Sequence, residues 1–327
     1  MSLNFSLFHV NLYAIYQGKW YALKTSMDTE IITSKEINKA IFALKQGIPI
    51  VFPTETVYGL GASIWMPEAI EKIFAIKGRP ADNPLIVHIS SMEEVFLLGD
   101  SLPPLFFLLA EKFWPGPLTL VVKKHPSVPS IVCGGLDSIA IRYPSNLIAR
   151  ELISQVGPMA APSANISGRP SPTSALDVLE DLNGKIPWII DEGASLIGIE
   201  STVVSLLGER PVLLRPGFLN KETIEEAVGE KILESVKDTP ILSPGMKYRH
   251  YAPRAKVRLV YDPRDLKGDY ILSTEPSLGM HLLNEQTLYA ELRKADREGV
   301  SEIEIDCSSS LLKNSALMNR IIKASGG

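Results

Sequence analysis

The residues from 53 to 62 read Pro53-Thr54-Glu55-Thr56-Val57-Tyr58-Gly59-Leu60-Gly61-Ala62. Their hydroxyls and carboxylate offer hydrogen bonds, and the glycines let a backbone approach a ligand closely. The stretch follows an apolar run over 48–52 that predicts a buried strand. A strand that ends in these residue types ends in a site or in a turn punctuated by Gly and Pro. Lys77-Gly78-Arg79-Pro80 and Asp82-Asn83-Pro84 come next. Two cations beside a glycine suit an anion such as phosphate, and Arg offers it a bidentate fork; a solvated helix end carries the same charges. His88 sits among apolar neighbours in a strand predicted over 85–89, as a structural or a working histidine.

Ser138 and Arg142 bracket a short apolar run, and Arg142 points at a carboxylate, a phosphate or solvent. Pro162-Ser163-Ala164-Asn165 and Arg169-Pro170-Ser171-Pro172 form a polar, proline-rich stretch that fits a hydrogen-bonding loop or an ordinary turn. Glu200-Ser201-Thr202 precedes a strand, and Arg215-Pro216-Gly217 ends one. Polar groups therefore recur at strand ends, where open α/β sheets build their sites.

The elements that must hold these residues alternate. Thr33 and Glu36 form a capping-box pattern ahead of a helical face of Ile37, Ala40, Ile41 and Leu44, closed by Gly47. Pro67 opens a second helix that runs to about Lys77. Strands are predicted over 118–122, 139–142, 187–190, 202–207 and 211–214, with helices over 104–113, 146–155 and 221–228. The pattern predicts an α/β domain over 27–220, then a terminal helix and proline-rich linker over 221–256. A small α/β unit over 257–327 follows, with strands at 257–261, 270–272 and 302–306 and helices at 286–298 and 311–324. Residues 1–26 read as a peripheral extension of uncertain role, without the cationic start or cleavage site of a signal peptide.

The chain has 327 residues, 45% hydrophobic and 21% charged, with a net charge of −4. This is globular composition without a large basic surface, so stable nucleic-acid binding is not expected. Cys133 and Cys307 form no C-x-x-C pattern, which fits a reducing, cytoplasmic setting. No apolar run is long enough to predict a membrane span. There is no P-loop, no complete G-x-G-x-x-G, no H-E-x-x-H and no G-x-S-x-G.

Together, P-T-E-T-V-Y-G-L-G at 53–61, K-G-R-P with D-N-P-L-I-V-H at 77–88, W-P-G-P-L-T at 114–119, P-S-A-N at 162–165, E-S-T at 200–202 and L-L-R-P-G at 213–217 strongly resemble the YrdC-like family. S-P-G-M-K-Y-R-H-Y-A-P at 243–253 is similar to the linker of its two-domain members, the threonylcarbamoyl-AMP synthases. The resemblance covers about 30–327. It implies a twisted open α/β sheet around a large cavity, with a smaller Rossmann-like C-terminal domain. It implies that L-threonine, bicarbonate and ATP, with Mg²⁺, become threonylcarbamoyl-adenylate and pyrophosphate. The product would pass to a tRNA threonylcarbamoyl transferase.

By the same resemblance, Lys77 and Arg79 act on the phosphates as catalytic residues. Arg79, Asn83, Ser138, Ser163, Asn165, Ser171 and Arg215 hold ATP, with Lys77 beside them. Thr56, His88, Arg142 and Ser201 hold threonine. Tyr251 closes over the nucleotide as a lid residue of the linker. One departure is Asn314-Ser315, which stands where the family has glycines, ahead of a retained A-x-M-N-R ending at Arg320. Two competing readings are a noncatalytic RNA-binding module of the same fold and a carbamoyl transferase of hydrogenase maturation. The acidic balance and the linker motif argue against the first, and the lack of zinc-finger cysteines against the second.

Overall fold

The structure is a computed structural model and describes residues 12–16, 19–23, 28–235, 250–277 and 279–326. Leu12–Tyr16 and Lys19–Leu23 form an antiparallel pair of their own. The main sheet is built from β1 (Glu30–Ile32), β2 (Ile50–Phe52), β3 (Gly59–Ser63), β4 (Ile86–His88), β5 (Leu118–Lys123), β6 (Ser138–Arg142), β7 (Met159–Ala160), β8 (Trp188–Ile190), β9 (Thr202–Ser205), β10 (Val212–Arg215) and β11 (Leu233–Glu234). Among the described residues its order is β11-β10-β9-β5-β6-β4-β7-β3-β2-β8-β1, with parallel and antiparallel neighbours mixed.

Local chemistry explains the helices. α1 (Ile37–Lys45) follows a single 3-10 turn whose Thr33–Glu36 capping box is formed, and it buries Ala40, Ile41 and Leu44. α2 (Pro67–Lys77) has Pro at its first turn, and Gly78 ends it in the left-handed region at φ 61°. α3 (Pro104–Phe113) and α4 (Leu147–Val156) pack on the sheet through Phe106, Leu109, Leu152 and Ile153. α5 (Ala175–Leu182), which the sequence reading omits, starts at a Ser174–Asp177 capping box. α6 (Lys221–Val228) buries Ile224 in the main core.

A second sheet is parallel throughout, with order β12-β15-β13-β14: β12 (Lys256–Val260), β13 (Ile271–Ser273), β14 (His281–Leu282) and β15 (Glu302–Asp306). It carries α7 (Leu288–Arg297) and α8 (Ser315–Ser325). The single helix predicted over 311–324 is broken. A short helix, Ser309–Leu312, stops, and Asn314 then caps α8 by accepting from the Leu317 amide. The expected linker over 221–256 is also more structured at its ends. Leu233–Glu234 pairs with β10, and Lys256 already belongs to β12. Residues 236–249 of that linker lie outside the described residues.

The two sheets' units share a polar seam. Arg293 on α7 is fully buried and donates to the Pro170 carbonyl at 2.6 Å and to Asp181 Oδ2 at 3.0 Å. Gly198 lies so close to the small unit that a Cβ there would sit 2.5 Å from Gln286 Cα. Val57 and Ile199, from the main unit's loops, belong to the small unit's apolar core. No helix among the described residues is long and apolar enough to cross a membrane. Both cysteines are buried and free.

Candidate active site

Strand register assembles the site. His88 faces Arg142, Arg142 faces Thr119, Thr119 faces Val203, and Val203 faces Arg215. Directly paired residues project to the same face of a sheet. One transverse row therefore carries a histidine, two guanidiniums and a hydroxyl across β4, β6, β5, β9 and β10. A second row, Ile86, Ala140, Val121 and Ser205, lies beside it, and Ser138 pairs with Lys123 in a third. Ile86, Val121, Ala140, Val203 and Leu214 form a small apolar cluster of their own between the charged ends.

The 53–62 segment closes one end of the row. Thr54 Oγ1 donates to the Val57 carbonyl at 2.6 Å and accepts from the Thr56 and Val57 amides at 3.2 Å. This turn aims Thr56 and Glu55 at Arg142. Arg142 donates from Nη1 to Thr56 Oγ1 at 2.9 Å, from Nη2 to Glu55 Oε1 at 2.5 Å and from Nε to the Gly116 carbonyl at 3.3 Å. His88 is buried, and its Nδ1 has no hydrogen-bond partner among the described residues. Burial first, and then the Arg142 charge, pushes its pKa down to about 3, so it is neutral at physiological pH.

At the other end, Arg215 donates from Nη2 to the Ser201 carbonyl at 3.0 Å and to Ser201 Oγ at 3.2 Å. Ser201 Oγ also lies 2.7 Å from Thr119 Oγ1. Gly217 is required here, because a Cβ would fall 2.4 Å from the Thr202 amide nitrogen. Glu200 accepts from Ser171 Oγ at 2.5 Å and from Tyr289 at 2.9 Å. Burial alone would raise the Glu200 pKa, but Arg320, Arg215 and the Ser171 hydrogen bond outweigh it and hold the carboxyl at about 2.

The cavity between these groups is lined by Thr56, Arg79, His88, Arg142, Ser163, Ser201, Arg215 and Tyr251, all expected from the sequence. Thr54, Tyr58, Glu200 and His250 also line it. Arg79, Arg142, Arg215, Tyr58 and Tyr251 are the large polar side chains of its wall. Tyr251 holds a positive φ of 64°, unusual for a residue with a side chain. Burial, then Arg79 and Lys323, pushes the His250 pKa down to about 4.

Lys77, Asn83, Ser138, Asn165 and Ser171 stand outside that lining. Lys77 is fully buried, and its Nζ donates to the carbonyls of Ser163 and Asn165, each at 2.5 Å. It thus braces the P-S-A-N loop, because a desolvated ammonium must find acceptors. Burial and the nearby Arg79 hold its pKa well below the usual lysine value. Asn165 Oδ1 accepts from Ser163 Oγ at 2.6 Å, which fixes that hydroxyl. Asn83 Nδ2 and Ser138 Oγ are buried without partners among the described residues. Sequence reasoning assigned no role to Thr119, Glu55 or Glu200, although each lies in a motif it singled out. Strand register places Thr119 beside Arg142, whereas Glu55 and Glu200 lie in loops and meet their partners through tertiary packing.

Residues 42–217 match the Sua5/YciO/YrdC family model, described as "Telomere recombination". Residues 219–326 match "Threonylcarbamoyl-AMP synthase, C-terminal domain". The threonylcarbamoyl-AMP synthase of Pyrococcus abyssi is 44% identical over 326 residues, covering 91% of this chain and 96% of its own length. That of Bacillus subtilis is 40% identical and covers 89% and 93%. The crystal structure of P. abyssi Sua5 complexed with L-threonine superposes with a TM-score of 0.82 at 44% identity, over 91% of this chain and 96% of its own. Agreement through both units means that the chain belongs to the two-domain Sua5/YciO/YrdC family of threonylcarbamoyl-AMP synthases.

Proposed function

We propose that this protein condenses L-threonine, bicarbonate and ATP into L-threonylcarbamoyladenylate and pyrophosphate. The observation that carries the reading is the transverse row. Arg142 and Arg215 stand on one sheet face three strand spacings apart, roughly 14 Å. Two fixed cations at that separation suit two anionic substrates, an amino-acid carboxylate and a nucleotide phosphate.

Threonine lies at the Thr56, His88 and Arg142 end, its carboxylate on Arg142, with Ser201 reaching it from the Arg215 side beside Thr119. ATP lies at the Arg79, Ser163 and Arg215 end, with Asn83, Ser138, Asn165 and Ser171 around it, and Tyr251 packs over it. The apolar cluster between offers an uncharged floor for the nucleoside.

The amine of threonine attacks bicarbonate, losing water and giving an N-carboxylate. That oxygen then attacks the α-phosphorus, and the bond to the β-phosphate oxygen breaks as pyrophosphate leaves. The carbamate is labile and weakly nucleophilic, so holding both partners together, away from water, is the main contribution. Arg79 and Arg215 neutralise charge that accumulates on the phosphate oxygens.

No group of three or more His, Cys, Asp or Glu among the described residues could hold a metal ion. Mg²⁺ would therefore arrive with the triphosphate, as part of the substrate. We place the reaction in the cytoplasm, where a tRNA threonylcarbamoyl transferase would take up the product.

The test is ATP–pyrophosphate exchange in the presence of bicarbonate. Exchange should require threonine, run poorly with serine and hardly at all with valine, since an unpaired buried hydroxyl partner costs about 1–3 kcal/mol. Exchange at equal rates with valine, or none with threonine in folded protein, overturns the reading.

A further inference from the structure

The C-terminal unit reaches the loops around the site with two buried side chains, Arg320 and Tyr289. Arg320 on α8 is 0% exposed. It donates from Nε to Glu200 Oε2 at 3.0 Å, from Nη2 to the Glu200 carbonyl at 3.4 Å and from Nη1 to the Pro216 carbonyl. Its guanidinium carbon lies 5.7 Å from the centre of the Tyr251 ring. One side chain thus binds the E-S-T loop, the R-P-G loop and the end of the linker. Tyr289 on α7 supports the same carboxylate, and its ring lies 5.4 Å from that of Tyr251.

We propose that Arg320 is a positioning residue for the nucleotide half of the site, acting through Glu200 and Pro216 to fix Ser171 and Arg215. The proposal rests on the reading that ATP lies against those two residues. A carboxylate accepts hydrogen bonds only, so Ser171 must donate its hydroxyl proton to Glu200. The hydroxyl is then fixed in direction. Pro216 directly follows Arg215, so the Arg320 bond to its carbonyl restrains the backbone that carries the Arg215 guanidinium. The C-terminal unit therefore acts mainly on the ATP site; it reaches the threonine group through Ser201, which follows Glu200, while Arg142 is held by Thr56, Glu55 and Gly116 and by no C-terminal residue among those described.

The test uses the full chain, with Arg320→Met, Arg320→Lys and Tyr289→Phe, and reads KM for ATP, KM for threonine, kcat and Tm. Arg320→Met should raise the ATP KM at least tenfold and the threonine KM less than threefold. Arg320→Lys should recover part of the loss, since an ammonium keeps the charge but cannot reach both loops. Tyr289→Phe should raise the ATP KM about threefold, because it removes one hydrogen bond from the same carboxylate. An unchanged ATP KM in Arg320→Met, or equal rises in both constants that track a fall in Tm, overturns the proposal. Should Arg320→Met not fold, Tyr289→Phe decides by the same criterion. Wild-type protein without threonine-dependent adenylate formation would instead sink the reading beneath it.

Discussion

Arg142 and Glu55 form a buried ion pair, Nη2 to Oε1 at 2.5 Å, with both side chains only 5% exposed. Removing one member of such a pair leaves a charge without compensation and costs about 3–5 kcal/mol. The same cation is the proposed partner of the substrate carboxylate, so Glu55 and threonine share it.

The two variants should therefore separate. Arg142→Gln removes the carboxylate's partner and should raise the threonine KM by two orders of magnitude or more. Glu55→Gln should lower Tm, yet leave the threonine KM unchanged or reduced, since the guanidinium loses its competitor. Steady-state kinetics beside thermal melts reads both. A threonine KM that rises equally in both variants would mean that Glu55 orients Arg142 rather than competes for it.

Lys77 and Arg79 are two residues apart but should fail differently. Arg79→Ala, at the cavity wall, should lose roughly two orders of magnitude in kcat with the fold intact, the scale of losing one charge stabiliser. Lys77→Met leaves the Ser163 and Asn165 carbonyls without their donor, and each unpaired buried group costs about 1–3 kcal/mol. Its melting temperature should fall along with activity. A Lys77→Met protein that melts like wild type would return Lys77 to the phosphates.

Much of this fold is readable from local chemistry. The Pro67–Lys77 helix is marked by its N-terminal proline and Gly78, and Lys221–Val228 by its apolar period. Met159–Ala160 is too short a strand to show a period. The break at Asn314 hides because apolar residues continue through it. For the site, residue types were legible and directions were not. A lysine in K-G-R-P reads as a phosphate ligand, and nothing local says that its ammonium also holds the Ser163 and Asn165 carbonyls. His88, Arg142 and Arg215 are distant in sequence and share a row only through strand register. Arg320 sits in a recognised motif, but nothing local says that its partner is Glu200.

Acid should unfold this protein in two stages. His88 and His250 are held neutral, with pKa values near 3 and 4, below the ordinary 6.5. Their depressed values contribute stability that is complete above pH 6.5. It is lost as pH falls, because the unfolded chain binds protons that the folded one refuses. Glu200, depressed from 4.5 to about 2, contributes stability that is complete above pH 4.5 and lost as pH falls towards 2. Tm should decline from about pH 6.5 and more steeply below 4.5, and His88→Asn should flatten the first limb. A Tm independent of pH between 7 and 5 would mean that these imidazoles are solvated.

Tyr251 joins the linker to the site, with its ring near both Arg320 and Tyr289 and its side chain on the cavity wall. A plain tether would not bury a tyrosine at a left-handed φ, which costs on the order of 1–3 kcal/mol. Tyr251, within the 243–253 segment, should therefore pack over bound nucleotide and limit access to the cavity. Most of it, including Arg249, lies outside the described residues, but Arg254 is exposed just beyond it. Trypsin should cut at Arg254 in the free protein, and ATP with threonine should protect that bond. Tyr251→Ala should weaken ATP binding and abolish that protection. Cleavage unchanged at saturating ligand, or full activity in Tyr251→Ala, would leave the segment an ordinary spacer.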